Sequence, residues 1–209
     1  MNWHQLLSTK RLGMEEWEIP GKKEDRSQFQ RDYDRIIFSS PFRRMQNKTQ
    51  VFPLPEHIFV HNRLTHSLEV ASVGRSLGNL LAEKLAPEFP ENPLISEIGT
   101  IVSTACLAHD LGNPPFGHSG EAAISGFFEN GAGKEFATQL TEPEWKDFIQ
   151  FDGNANAFRI LTHQFKGKRP GGFALTYSIL SGLVKYPYES ALATKPKFGF
   201  FQSEKDAYK

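Results

Sequence analysis

The feature that most constrains this chain is an apolar helical run that ends on two adjacent metal-type side chains. Leu94, Ile95, Ile98, Ile101, Val102 and Ala105 recur at the three- and four-residue spacing of a helix with one apolar stripe. Four residues after Ala105 the stripe continues in His109, with Asp110 beside it. An ideal helix turns about 100° per residue, so the two side chains converge on one ion only if the helix ends there. Gly112 is the terminator the sequence offers. A rigid Pro114-Pro115 turn follows, with Gly112 before it and Gly117 after it, and then His118 and Glu121 stand three apart at the start of another helical pattern. Alone, an adjacent His-Asp pair reads as a core histidine beside a capping acid. Four groups that bind metals or move protons within residues 109–121 reverse that reading.

A long helix is expected from Asn62 to Pro87, with Leu64, Leu68, Ala71, Val73, Leu77, Leu80, Leu81 and Leu85 at helical spacing. Arg63 and His66 are three apart and share a face. Glu69, three further on, is either an acceptor for the second N–H of a metal-bound imidazole or a surface acid near Arg75. On its own His66 would be an ordinary helix histidine; with His109-Asp110 on the next helix it becomes a ligand candidate. Upstream, Phe29, Tyr33, Ile36 and Ile37 give a helix within 28–50, and Pro41 starts a second short one, where Arg43, Arg44, Gln46 and Lys48 are mixed with core residues. Residues 1–27 read as a peripheral segment, and Val51–Val60 as a loop or at most a small β-hairpin. His4, His57, His61 and His163 read as surface or structural histidines.

At 209 residues the chain is one domain or a large part of one. Lys+Arg and Asp+Glu balance at 24 each, so no global charge draws it to nucleic acid or membrane. The single cysteine, Cys106, sits inside the apolar helix, cannot form an internal disulfide, and has no cationic neighbour to make it a nucleophile. Met1 to Glu15 has no signal-type apolar core, and no run approaches the ~20 apolar residues of a membrane span. These features lead to the expectation of a soluble cytoplasmic protein.

A histidine, a gap of tens of residues and then His-Asp resembles the HD superfamily of metal-dependent phosphohydrolases. A longer set of motifs is similar to the deoxynucleotide triphosphohydrolases of the dGTPase type. These are Asp34 through Ser40, Phe42 through Gln46, Lys48 through Phe52, Arg63-Leu64-Thr65-His66-Ser67-Leu68-Glu69-Val70 and His109 through Glu121. Phe151 through Asn156 and Leu175 through Pro187 extend the match, which spans roughly residues 28–190. A bare His-Asp pair is a weak signal; seven ordered motifs are a strong one.

The resemblance implies an all-α HD-domain fold over 28–209, and cleavage of a dNTP, dGTP-like, to deoxynucleoside and intact triphosphate. It implies His66, His109 and Asp110 as metal ligands, with a fourth, an aspartate, from a later helix beyond residue 209. It implies His118 and Glu121 as the proton-transfer pair, and Arg63, Gln46 and Lys185 as substrate contacts. Asn113 lies in a slot where relatives carry His, and it is taken as a further substrate-side residue. Two imidazoles with carboxylates suit Mn, Mg, Co, Fe or Ni, a choice the donor set leaves open. Phe151 to Asn156 is expected to shape the pocket wall. Partners expected from the resemblance are a dNTP substrate, further copies in a homo-oligomer of the full-length protein, and a dNTP effector. The basic loop Lys166–Gly172 reads first as a solvated connector and second as a contact for triphosphate or single-stranded nucleic acid. Ser203 to Lys209 reads as the capped first turn of a helix, and Phe198, Phe200 and Phe201 as aromatics that dock on something, such as a further C-terminal part. The domain is therefore expected to be incomplete at its C-terminal end.

Overall fold

Ser27, Ser39 and Asn62 each stand one residue ahead of a helix, where a short polar side chain can accept from an otherwise unpaired N–H. In the computed structural model, which describes residues 2–16, 26–49, 61–167, 170–194 and 197–209, all three do so. Ser27 receives Gln30 N–H, Ser39 receives Phe42 N–H, and Asn62 receives Thr65 N–H while Thr65 Oγ1 accepts from the Asn62 backbone N–H. These caps start α2 (Gln28–Ile37), α3 (Ser40–Arg44) and α4 (Arg63–Leu85), which follow the short α1 (Trp3–Leu6). The chain continues through α5 (Ile98–Ala108), α6 (His118–Asn130), α7 (Glu142–Ile149), α8 (Gly153–Thr162), α9 (Tyr177–Leu183) and α10 (Lys205–Tyr208). Among the described residues the fold is helical with no sheet, as expected; its extended pairings are isolated bridges such as Arg11 with Thr176 and Thr49 with Asn62. Residues 51–60, expected as a loop or small hairpin, lie outside the described residues.

The centre of the domain is α5. Ile98, Gly99, Ile101, Ser103, Thr104, Ala105, Leu107 and Ala108 are all buried, because α4, α2 and α9 pack around the helix. A helix buried on most of its circumference is a core helix rather than an amphipathic one. Phe29, Ile36, Met45, Leu111, Leu161, Leu175 and Ile179 complete the core around it.

The face that α4 turns to α5 differs from the expected one. Its buried residues are Arg63, Ser67, Ala71, Gly74, Gly78 and Ala82, whereas Leu68, Val73, Leu77, Leu80 and Leu81 are exposed. Small residues win the buried face because the two helices approach backbone to backbone. A Cβ on Gly78 would lie 2.7 Å from Gly99 Cα, and one on Gly74 would lie 2.8 Å from Cys106 Sγ. As the number falls along α4 its partner on α5 rises, so the helices run antiparallel and the start of α4 meets the end of α5.

The segment before α2 reaches the core through Leu7 and through Arg11, whose guanidinium pairs with the fully buried Asp32 and donates to Ala174 O at 2.7 Å. At the other end, Phe198, Phe200 and Phe201 are buried within this chain. Phe198 and Phe201 pack with Phe151, and Phe200 stacks on Tyr208 at 4.1 Å. They dock, as expected, but on this chain's own residues. Ser203 is not a helix cap either: it lies inside a 3-10 turn, Gln202–Glu204, where it accepts from Arg159 and donates to Glu204. No helix among the described residues is long and apolar enough to cross a membrane.

Candidate metal centre and active site

The antiparallel α4–α5 pair brings the first turn of α4 beside the residues that follow α5. His66 and His109 meet edge to face with ring centroids 5.3 Å apart. One donor atom from each of His66, His109 and Asp110 lies within 4.8 Å of the other two. Helix α5 ends at Ala108, before either ligand, and Leu111 N–H closes a turn onto Ala108 O at 3.1 Å. Gly112 is therefore not a left-handed terminator. It is needed for close approach: a Cβ there would stand 2.1 Å from both Ala157 N and Gly153 O of α8.

The donor set fits a divalent ion. His109 Nδ1 is 2.6 Å from Cys106 O. A carbonyl only accepts, so Nδ1 carries the proton and Nε2 presents its lone pair on the Asp110 side, 3.4 Å from Oδ1. Glu69 is an exposed acid 3.7 Å from His61, and Arg75 lies over the Tyr33 ring. Asp110 is buried and held on both oxygens: Oδ2 accepts from Arg63 Nη1 at 2.7 Å and Oδ1 from Asn113 Nδ2 at 2.5 Å. Each oxygen keeps a further lone pair for a cation.

A second pair lies across the same cavity, which encloses about 550 Å³. Gly117 takes φ 57° and gives α6 its start; Arg63 Nη2 would be 2.8 Å from a Cβ at that position, so the loop tolerates only glycine beside the guanidinium. His118 then donates from Nδ1 to Glu121 Oε2 at 2.7 Å, and Gly153 N–H donates to Oε1 at 2.8 Å. Burial pushes the Glu121 carboxyl up, but the His118 and Gly153 hydrogen bonds and the Lys197 charge outweigh it and hold the group below the ordinary glutamate value. Glu121 is 10% exposed at the side chain and His118 86%, so the imidazole stands in the cavity on a buried carboxylate.

Arg63, His109, Asp110, Asn113, His118, Glu121 and Lys185 all line this cavity. Gln46 does not: it is exposed on the 3-10 turn Met45–Asn47, and Thr49 reaches the cavity from the same segment. The Phe151–Asn156 stretch is present as expected, through Asn154 in the wall, Gly153 on Glu121 and Asn156 Nδ2 on Gly112 O at 2.8 Å. Lys197 was not foreseen. Its ammonium is 3.4 Å from Glu121 Oε2 and 3.7 Å from Asp152 Oδ2. It sits in a Lys- and Pro-rich stretch with no periodicity to place it. His4 and His163 stand near Glu91 and Glu204, away from this cluster, while His57 lies outside the described residues. Burial pushes the Cys106 thiol up, against a nucleophilic role. A separate cavity of about 360 Å³, walled by Leu140, Phe148, Phe151 and Phe201, has Asp147 at its edge.

The model of the HD domain matches residues 63–186, from the first residue of α4 to just past α9. A deoxyguanosinetriphosphate triphosphohydrolase-like protein of Pseudomonas aeruginosa is 49% identical over 98% of this chain and 47% of its own length. One of Synechocystis is 47% identical over 100% of this chain and 50% of its own, and one of Listeria innocua is 37% identical over 100% and 48%. The chain thus spans about half the length of the curated relatives it matches. With the family model covering more than half of its residues, the chain belongs to the HD-domain family.

Proposed function

We propose that this chain forms the metal- and phosphate-binding part of a metal-dependent phosphohydrolase that converts a dNTP, dGTP-like, to deoxynucleoside and inorganic triphosphate. The observation that carries the reading is one cavity lined by two separate tools: His109 and Asp110, which cluster with His66 for a cation, and a His118–Glu121 pair for a proton. The relatives named deoxyguanosinetriphosphate triphosphohydrolase-like support the nucleotide as the substrate class. A divalent ion held by these three residues would neutralise phosphate charge and polarise the phosphorus under attack.

The remaining work falls to the chain itself. Arg63, Lys185 and Lys197 put three cationic side chains around the cavity, and they match the charge of a triphosphate. The N–H groups at the start of α6 point in the same sense as an anion site at a helix N-terminus. Glu121, fixed by Gly153 N–H, holds His118 with its Nδ1 protonated. His118 Nε2 is then free to take a proton from attacking water or, once charged, to give one to the departing 5′-oxygen. Arg63 has a double duty, on Asp110 and on phosphate.

The test is product analysis. Each dNTP is incubated with the full-length protein and a divalent cation, since this chain alone, without the expected fourth ligand, should turn over little, and the released phosphate species is identified by phosphorus NMR. Triphosphate with deoxynucleoside supports the reading. Pyrophosphate or monophosphate assigns a different hydrolase, and no turnover with any of Mn, Mg, Co, Fe or Ni points to a binding protein.

A further inference from the structure

We propose that Lys48 is a positioning residue that clamps the two halves of the metal centre together. Its place is fixed from both ends. Lys48 O accepts from Arg63 N–H at 3.0 Å, and the next residue, Thr49, bridges to Asn62. Lys48 therefore rides on the first turn of α4, the turn that carries His66. Its half-buried ammonium reaches the other half: Nζ donates to Asn113 O at 2.7 Å and to Leu111 O at 3.4 Å. Those carbonyls belong to the turn that begins at Asp110. Asn113 in turn donates its side-chain amide to Asp110 Oδ1 at 2.5 Å and its backbone N–H to Asp110 O at 3.2 Å.

The connection runs without a gap. It passes from the His66 helix through the Lys48 backbone and ammonium to the Asn113 carbonyl, and through the Asn113 amide to the ligand carboxylate. A lysine suits the task because two carbonyls two residues apart need a donor with several hydrogens at the end of a long stem. A direct contact of Lys48 with substrate phosphate is the competing role. Against it, Thr49 lines the cavity and Lys48 does not, and the ammonium is already committed to main-chain oxygens.

The proposal rests on the metal-centre reading, so its test separates the two. Lys48→Met keeps the stem and removes the donor. In metal-free protein, exchange of the Leu111 and Asn113 amides should quicken by roughly tenfold, the scale of losing a hydrogen bond or two. In a Mn²⁺ titration the variant should bind roughly 10–100-fold more weakly than the wild type, the usual effect of removing a group that orients a ligand. Should Lys48→Met fail to fold by circular dichroism, Lys48→Gln, whose amide is too short to span both carbonyls, is read in the same way. Unchanged amide exchange overturns the clamp, and so does unchanged Mn²⁺ affinity with a raised KM, which would make Lys48 a phosphate contact. Quickened exchange with no Mn²⁺ binding by the wild type would leave the clamp standing and sink the metal-centre reading instead.

Discussion

Gly78 of α4 meets the backbone of Gly99 on α5 so closely that Gly78 has no room for a side chain: a Cβ there would fall 2.7 Å from Gly99 Cα and 3.1 Å from Ile98 O. That contact sets the register of the antiparallel pair, and the register decides which residue of the first turn of α4 faces the end of α5. With Gly78 opposite Gly99 and Gly74 opposite Cys106, His66 is delivered to His109.

Gly78→Ala should therefore damage a site it does not touch. Alanine favours a helix over glycine by about 1 kcal/mol, yet its methyl must displace backbone, and overpacking of this kind costs about 1–3 kcal/mol. The expected outcome is a lower melting temperature together with weaker Mn²⁺ binding. A variant more stable than the wild type, with unchanged metal affinity, would show that the helix contact has room to spare.

Arg63 and Asp110 form an ion pair with side chains only 8% and 10% exposed. Breaking such a pair leaves a buried carboxylate without its partner, at a cost of about 3 kcal/mol or more. Arg63→Met should thus destabilise the metal-free protein. Saturating Mn²⁺ should recover part of the loss, because a cation at Asp110 replaces the missing positive charge. The KM for a dNTP should rise as well. Thermal melts with and without metal check this; an equal loss in both would place Arg63 outside the metal centre's electrostatics.

His118 is assigned to proton transfer and not to the cation. His118→Ala should keep its metal and bind dNTP nearly as well, yet lose kcat by roughly 10²–10⁴. Glu121→Gln should fall on the same side with a smaller loss, if the part of its carboxylate is to orient His118. Single-turnover rates beside metal content separate these outcomes from a ligand role, in which metal and rate would vanish together.

Asp147 offers a stability test away from the cavity of the metal centre. Burial, assisted by the nearby charges of Glu204 and Glu189, raises its carboxyl from 3.8 to about 6, against the pull of hydrogen bonds from Ser190 and from Gln202 N–H. The folded chain holds this proton more tightly than the unfolded one. Stability from this group is therefore complete below the unfolded value and declines as pH rises towards 6, by up to about 3 kcal/mol. Asp147→Asn has no proton to lose. Its melting temperature relative to the wild type should climb between pH 4 and 6 and level off above. A difference that stays flat across that range would mean the carboxylate is ionised as usual.

Much of the fold was legible because it depends on local chemistry. The helix starts near Asn62 and Pro41 and the three-residue step from His118 to Glu121 survive as read, while the apolar run towards His109 is split into a 3-10 turn, Pro93–Glu97, and α5, which ends at Ala108. The face of α4 was misread because leucine at helical spacing usually marks the buried side, and here Gly74 and Gly78 displace it. Glycine carries no hydrophobic signal, although a small residue every three or four positions could have suggested close helix packing. Gly112 was misassigned for a related reason: the need for glycine comes from α8, a partner distant in sequence. Lys197 was illegible because it is brought to Glu121 by a non-periodic segment, and its role exists only in three dimensions.

The central claim is that His66, His109 and Asp110 together hold one divalent ion. Calorimetric titration of Mn²⁺ into the wild-type protein and into His66→Ala, His109→Ala and Asp110→Ala, with His118→Ala as the control, tests it directly. The account predicts one equivalent bound by the wild type and by the control, and none by the other three. Stoichiometric binding by any of those three would strike that residue from the centre, and loss of binding by His118→Ala alone would move the site to the other side of the cavity.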